Sequence, residues 1–120
     1  MKVLHTTIFV KDIDVSAKFY EEVLGLAIVR DMREGDHKIV FLNDQTQDFC
    51  VELAQGASGM CFEGKGVSIG VACEDLDAER KRLAEMGIEA GPVITPNPHV
   101  KFFFVSDPNG FQVQFVEEAK

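Results

Sequence analysis

An internal repeat constrains the fold of this 120-residue chain more than any other feature of its sequence. Residues 5–14 (HTTIFVKDID) align with residues 68–77 (SIGVACEDLD) at an offset of 63 positions. Residues 49–53 (FCVEL) align with residues 111–115 (FQVQF) at an offset of 62, so a one-residue gap separates the two copies. Repeated segments of this kind indicate a duplicated structural unit, with roughly 55 residues in each half.

Two pairs of polar residues occupy equivalent places in the two copies. His5 aligns with Ser68, and Glu52 aligns with Gln114. Because side chains alternate along a strand, Glu52 and Gln114 each lie on the face opposite to the apolar residues beside them. These four positions are therefore the first candidates for a functional site.

Each half is predicted to form a strand, a helix and three further strands. In the first half, Asp12 or Asp14 is suited to cap the helix, and Gly25 to end it. The predicted strands of this half are 3–10, the hairpin of 26–33 and 37–42, and the strand that holds Glu52. The second half is predicted to contain a strand at 67–73, a helix at 76–86 with Leu76, Leu83 and Met86 facing inward, a short strand near 88–94, a loop at 95–98, a strand at 100–105, and a last strand after the turn at 107–110.

Phenylalanine supplies almost all of the aromatic side chains of this chain, with ten Phe, one Tyr and no Trp. In the strand at 100–105, alternation places Phe102 and Phe104 on one face and Phe103 on the other. The sequence leaves open which of these faces lines a cavity. Whichever face does so would supply the apolar, aromatic lining that is typical of small-molecule sites.

The chain is long enough for one domain with a buried core. We expect a single domain made of repeat 1 (1–54), a linker (55–66) and repeat 2 (67–120). The linker contains four Gly. Its apolar residues Met60, Cys61 and Phe62 are expected to pack over a cavity mouth or against a partner subunit.

The composition excludes several classes of function. A net charge of −8 argues against binding to nucleic acid or to an anionic membrane surface. No apolar run is long enough to cross a bilayer, and the N-terminus leads directly into a predicted strand without a signal-peptide core. Three Cys, an odd number without close metal-ligand spacing, are typical of free thiols in a reducing compartment. We therefore expect a cytoplasmic protein.

Four segments of this repeat resemble those of a known family. They are LHT at 4–6, FYEEVLGL at 19–26, VEL at 51–53 and DPNGF at 107–111. In these segments the chain resembles the vicinal-oxygen-chelate superfamily, which includes glyoxalase I, bleomycin-resistance proteins and extradiol dioxygenases. The pattern is most similar to that of bacterial glyoxalase I.

The resemblance implies an α+β fold, in which two tandem βαβββ units form curved mixed β-sheets that close a cup. The cup closes within one chain or across a dimer, and a homodimer is implied for a chain of this length. In the glyoxalase I pattern, His, Glu, His and Glu hold a divalent metal on the concave face. His5 and Glu52 match the first two positions, whereas Ser68 and Gln114 replace the other two ligands.

These replacements weaken both the metal site and the chemistry. A serine hydroxyl is a poor ligand for Zn²⁺, Ni²⁺ or Mn²⁺, and a glutamine amide oxygen is a moderate one. The catalytic base that the resemblance implies is a carboxylate at the position of Gln114, and an amide lacks useful basicity. We therefore expect a protein that binds a small organic molecule in the β-cup and lacks ordinary lactoylglutathione lyase activity. The expected pocket residues are His5, Thr7, Phe9, Glu52, Ser68, Gly70 and Gln114.

Two enzymatic alternatives stay open. In the first, His5 and Glu52 hold a divalent metal together with water or substrate oxygens, and the protein is a glyoxalase-I-like lyase or isomerase. In the second, no metal takes part, and Glu52 is a general base with His5 as its partner. In both, Glu52 is the candidate catalytic residue.

Overall fold

A computed structural model of the chain describes residues 1–118. Its elements in chain order are β1 (His5–Phe9), α1 (Ile13–Glu22), β2 (Ala27–Met32), β3 (Lys38–Asn43), β4 (Cys50–Gln55), β5 (Ser68–Ala72), α2 (Leu76–Glu85), β6 (Ile94–Asn97), β7 (Val100–Ser106) and β8 (Gln112–Glu118). This order repeats strand, helix and three strands, which confirms the predicted α+β class. Among these residues, neither helix is long and apolar enough to cross a membrane.

The strands form two four-stranded sheets with the same connectivity. Their strand orders are β1-β4-β3-β2 and β5-β8-β7-β6. The pairs β1/β4 and β5/β8 are parallel, and all the other pairs are antiparallel. Each sheet is open, so each has two edge strands. The order places the first and last strand of each repeat side by side, which brings residues from distant parts of the sequence together.

The chain divides into two compact units. The first comprises Met1–Gly64 and the short segment Pro108–Gly110, and the second comprises Lys65–Asp107 and residues 111–118. In the first unit, the backbone N–H of Phe62 donates to the carbonyl oxygen of Phe9 at 2.8 Å. This contact attaches the apolar segment that follows β4 to the edge of β1.

Both helices begin at an aspartate and bury one face. The carboxylate of Asp12 accepts hydrogen bonds from the N–H groups of Asp14 and Val15, and that of Asp75 accepts one from Ala78. These bonds satisfy donors that a helix leaves free in its first turn. The buried residues are Ile13, Ser16, Ala17 and Tyr20 in α1, and Leu76 and Leu83 in α2.

Two details of the second repeat differ from the sequence prediction. Met86 was predicted to face inward, but it is the C-cap residue of α2 and is 41% exposed. The predicted strand near 88–94 is also wrong, because β6 begins only at Ile94 and contains Pro96 of the predicted loop. Proline is tolerated there because β6 is an edge strand, in which every second N–H points away from the sheet and needs no partner.

Alternation along the central strands separates a buried face from a partly exposed one, which we call the exposed face of each sheet. Phe103 and Phe115 face inward, with ring centroids 5.1 Å apart and ring planes inclined at 12°. In the first sheet the equivalent buried pair is Val40 and Leu53. The residues before and after each of these point to the opposite face of their sheet, where the candidate site lies.

Candidate functional site

A row of paired residues crosses the exposed face of the first sheet. Thr7 of β1 pairs with Glu52 of β4, Glu52 pairs with Phe41 of β3, and Phe41 pairs with Arg30 of β2. Directly paired residues place their side chains on the same face of a sheet. We call these four residues the Glu52 row. It runs across all four strands.

Glu52 is held by two neighbours on this face. The hydroxyl of Thr7 donates a hydrogen bond to Oε1 of Glu52. Nε2 of His5 lies 3.5 Å from the same oxygen. The Glu52 side chain is 14% exposed and that of His5 is 37% exposed. Both contacts use Oε1, and within residues 1–118 no protein donor binds Oε2, so this oxygen can accept from a ligand.

Aromatic rings flank the His5–Glu52 pair. The rings of His5 and Phe41 meet edge to face, with centroids 5.7 Å apart and planes inclined at 81°. The guanidinium carbon of Arg30 lies 5.9 Å from the centroid of Phe41. Phe9 is on the same face of β1 and is 38% exposed. The face therefore combines an acceptor, an imidazole and apolar surface, as small-molecule sites do.

The second sheet has an equivalent row with different side chains. Gly70 of β5 pairs with Gln114 of β8, and Gln114 pairs with Phe104 of β7. The N–H of Gly91 donates to the carbonyl oxygen of Phe104 at 2.9 Å and extends the row beyond β7. We call these four residues the Gln114 row. None of its members carries a charge.

A depression of about 400 Å³ lies on the second unit beside this row. Its lining residues are Gly66, Val67, Ser68, Phe104 and Gln112. Ser68 pairs with Gln112, whose side-chain amide donates to the hydroxyl of Ser106 at 2.7 Å. All five lining residues are uncharged, and one of them is aromatic.

The structure brings together some of the predicted site residues. His5, Thr7 and Glu52 are in contact, and Phe9 shares their face. Gly70 lies beside Gln114, because a Cβ added to Gly70 would be 3.5 Å from the amide oxygen of Gln114. Ser68 also lies on the exposed face of the second sheet. The roles of these residues stay predictions.

The sequence interpretation missed three residues of the exposed faces. Alternation grouped Phe104 with Phe102, but it could not say that this group shares the exposed face with Gln114. Phe41 and Arg30 were missed because their place beside Glu52 depends on strand register. An irregularity of pairing between Ile28 and Arg30 makes that register hard to deduce from alternation.

The donor set does not fit a tightly held transition metal. Within the part of the chain that the structure describes, no group of three or more His, Cys, Asp or Glu side chains could hold a metal ion. The exposed face of the first sheet offers one imidazole and one carboxylate, and Oε1 of that carboxylate already accepts from Thr7. Structural and catalytic zinc sites take three or four strong protein ligands.

Comparisons with known proteins agree with this fold. The sequence profile of the Glyoxalase/Bleomycin resistance protein/Dioxygenase superfamily matches residues 2–115. A probable lactoylglutathione lyase of Vibrio parahaemolyticus is 28% identical over 129 aligned positions, which cover 99% of this chain and 92% of the relative.

Two solved structures share the fold. The trypanothione-dependent glyoxalase I of Leishmania major superposes with a TM-score of 0.79 at 24% identity, covering 98% of this chain and 87% of that one. TnmS3, an antibiotic binding protein from Streptomyces sp. CB03234, superposes with a TM-score of 0.78 at 21% identity, covering 99% and 97%. At these identities the likeness is one of fold alone. One neighbour is an enzyme and the other a binding protein.

Proposed function

The chain belongs to the Glyoxalase/Bleomycin resistance protein/Dioxygenase superfamily, and we propose that it is a cytoplasmic, homodimeric protein that binds a small organic molecule. Glu52, His5, Thr7 and Phe9 are the proposed binding residues on the exposed face of the first sheet. Ser68, Gly70 and Gln114 are proposed pocket residues on the second sheet.

The burial and the hydrogen bonds of the Glu52 carboxylate are the main support for this proposal. Its carboxylate is mostly shielded from solvent, is oriented by Thr7 and His5 through Oε1, and keeps Oε2 without a protein donor in residues 1–118. A carboxylate oxygen in such a setting gains from a ligand N–H or O–H, because charge-assisted hydrogen bonds are about twice as strong as neutral ones. The face is thus prepared for a ligand that donates hydrogen bonds.

Ordinary lactoylglutathione lyase activity is not part of the proposal, although a relative is named a probable enzyme of that kind. Removal of a proton beside a carbonyl requires a base of suitable pKa, and Gln114 offers an amide at the position where the family pattern has a carboxylate. The donor set also lacks the ligands that would hold a divalent metal. We propose that neither the base nor the metal of that reaction is provided.

A metal-free proton transfer is the second candidate function. It is favoured by the 3.5 Å separation of His5 Nε2 and Glu52 Oε1, which would let the imidazole exchange a proton with the carboxylate. In this case Glu52 removes a proton from a carbon or oxygen acid and His5 returns it. Glu52→Gln would then abolish turnover, whereas a chelator would leave it unchanged.

A screen in the presence of EDTA tests the leading proposal. The full-length protein is titrated with cationic and aromatic compounds, and binding is followed by NMR chemical shifts. We expect ligands whose affinity falls about tenfold or more in Glu52→Gln, which keeps the size of the side chain but removes its charge. Asp48→Asn is the matched control, because Asp48 is an exposed carboxylate that pairs with Lys2. Equal binding by wild type and Glu52→Gln would contradict the proposal.

Calorimetric titration with Zn²⁺, Ni²⁺ and Mn²⁺ tests the metal-dependent alternative. We expect no stoichiometric binding in the micromolar range, since one imidazole and one carboxylate form a weak donor set. Stoichiometric metal that is lost in His5→Ala, together with isomerisation of a hemithioacetal, would establish the metal-dependent lyase instead.

The homodimer is tested separately. Its motivation is the apolar segment that follows β4, in which Met60 is 55% exposed. Light scattering at micromolar concentration should give twice the mass of 13.3 kDa. A monomeric mass would contradict this part of the proposal and leave the binding face unaffected.

A further inference from the structure

Arg30 differs from the other arginines of the chain in its contacts. Within residues 1–118, its guanidinium makes no hydrogen bond or ion pair, and it contacts the ring of Phe41. The other three donate hydrogen bonds to oxygens: Arg33 to Asp31 and Asp14, Arg80 to Gly91, and Arg82 to Glu79. The chain has an excess of eight acidic charges, yet within residues 1–118 no carboxylate forms an ion pair with Arg30.

The position of Arg30 places this unpaired cation on the candidate binding face. It is the end of the Glu52 row, directly paired with Phe41, which is directly paired with Glu52. Neighbouring strands are about 4.8 Å apart, so the backbones of Arg30 and Glu52 are separated by about 10 Å. A molecule with a short apolar body spans such a distance. Contact with the Phe41 ring holds the guanidinium while leaving its N–H groups available to a ligand.

We propose that Arg30 is a specificity-determining residue that binds a carboxylate of the ligand. The apolar body of the ligand then covers Phe41, and a hydroxyl or amino group at its other end donates to Glu52. This inference rests on the proposed function, because it assigns the substrate class of the same site. The protein would therefore select small aromatic or acyl acids that carry a hydrogen-bond donor distant from the acid group.

A carboxylate fits this face better than a phosphate. The guanidinium fork matches the two oxygens of a carboxylate in a bidentate arrangement. Arg30 supplies one positive charge, and Glu52 lies two strands away with a negative one. A phosphate monoester carries close to two negative charges near neutral pH and would leave one of them uncompensated.

Three small probes separate the parts of this proposal. 4-Hydroxyphenylacetate has the acid, the ring and the donor, 4-hydroxyphenylacetamide replaces the acid with a neutral group, and phenylacetate lacks the donor. Their dissociation constants are measured by NMR titration of the full-length protein at pH 7. We expect the first probe to bind about tenfold more tightly than either of the others.

Variants then show whether Arg30 binds the acid end of the probe. Arg30→Gln should weaken binding of 4-hydroxyphenylacetate about tenfold and leave the amide unchanged. The control Arg33→Gln removes the same charge three residues away, from a guanidinium already bound to Asp31 and Asp14, and should stay within about twofold of wild type. Unchanged NMR spectra outside the substituted positions verify that each variant is folded.

The outcomes distinguish this inference from the proposed function. The role of Arg30 is overturned by any of three results. These are equal binding of the acid and the amide, unchanged binding of the acid by Arg30→Gln, and no binding of any probe at about 10 mM. If Glu52→Gln still weakens the binding of screened ligands, the proposed function stands without it. If Glu52→Gln also has no effect on any ligand, both fail.

Discussion

The exposed faces of the two sheets share one backbone arrangement but carry different chemistry. The Glu52 row consists of Thr7, Glu52, Phe41 and Arg30, and the Gln114 row of Gly70, Gln114, Phe104 and Gly91. Only the phenylalanine is common to both. In the first row charged and hydroxyl groups surround it, and in the second an amide and two glycines do so. The two repeats therefore share a scaffold and differ in the side chains of these rows.

The two faces differ in what they present. The Glu52 row has directional and charged groups, whereas the Gln114 row has neutral surface beside the depression lined by Ser68 and Phe104. The second sheet does carry charges outside this row. Lys101 and Glu117 form an ion pair at 3.0 Å on the opposite face, and Glu118 lies at the end of β8 on the same face as Gln114. The absence of charge is therefore confined to the Gln114 row itself.

Substitutions in the buried faces of the two sheets are expected to have the largest effect, which is on the free energy of unfolding. Phe103 is fully buried and stacks on Phe115, whereas the equivalent Val40 packs beside Leu53. Phe103→Ala should lower the free energy of unfolding by about 3–5 kcal/mol through lost burial and a cavity. Val40→Ala removes two methyl groups and should cost about 2 kcal/mol. Urea unfolding measures both, and equal costs would show that the aromatic core of the second unit is no better packed.

The two polar residues at the centre of the rows are the next comparison. Glu52→Gln should weaken ligand binding about tenfold, since a neutral amide replaces a charged acceptor. Gln114→Ala removes a neutral group and should weaken binding only about threefold, a cost typical of one ordinary hydrogen bond. NMR titration with a ligand from the screen measures both. A larger loss in Gln114→Ala would contradict the expectation that Glu52 contributes more to ligand binding than Gln114 does.

The two glycines of the Gln114 row are expected to respond differently to substitution. A Cβ on Gly91 would lie 3.4 Å from the carbonyl oxygen of Phe104, a tight contact with backbone, so Gly91→Ala should cost about 1 kcal/mol. A Cβ on Gly70 would make an ordinary contact with the flexible side chain of Gln114. Gly70→Ala should therefore change stability by less than about 0.5 kcal/mol. Thermal unfolding that ranks these variants in the opposite order would contradict this account.

The smallest expected effect is on the pKa of a thiol in the second unit. Burial, and then the carboxylates of Glu79, Glu117 and Asp75, raise the pKa of Cys73. The folded state thus favours the neutral thiol, and the resulting stabilisation is present at low pH and lost as the pH rises above the ordinary thiol range. Alkylation by iodoacetamide, followed by mass spectrometry, should give an apparent pKa above that range. Glu117→Gln should lower it, and an unchanged value would contradict the electrostatic cause.

The repeat explains why so much of the fold could be predicted from the sequence. An offset of 62 or 63 positions implies the same order of elements twice, and the structure confirms that order. It also confirms the equivalence of Glu52 and Gln114, since both lie in the strand that pairs in parallel with the first strand of the repeat.

Features outside the repeat pattern could not be predicted in this way. The place of Arg30 depends on pairing between β2 and β3, which contains an irregularity that alternation does not reveal. The position of β6 depends on an edge strand that accepts Pro96, although proline usually marks a loop. Met86 matched the helical spacing of Leu83, but it follows the last turn of α2, and it is 41% exposed.

The proposal that the Glu52 row binds a small organic ligand without a metal can be tested by NMR shift mapping of the wild-type protein with screened ligands in excess EDTA. We expect the largest shifts at His5, Thr7, Phe41 and Glu52, and smaller shifts in Glu52→Gln at the same ligand concentration. Ligands that bind only after a divalent metal is added, or that leave these four residues unshifted, would contradict it.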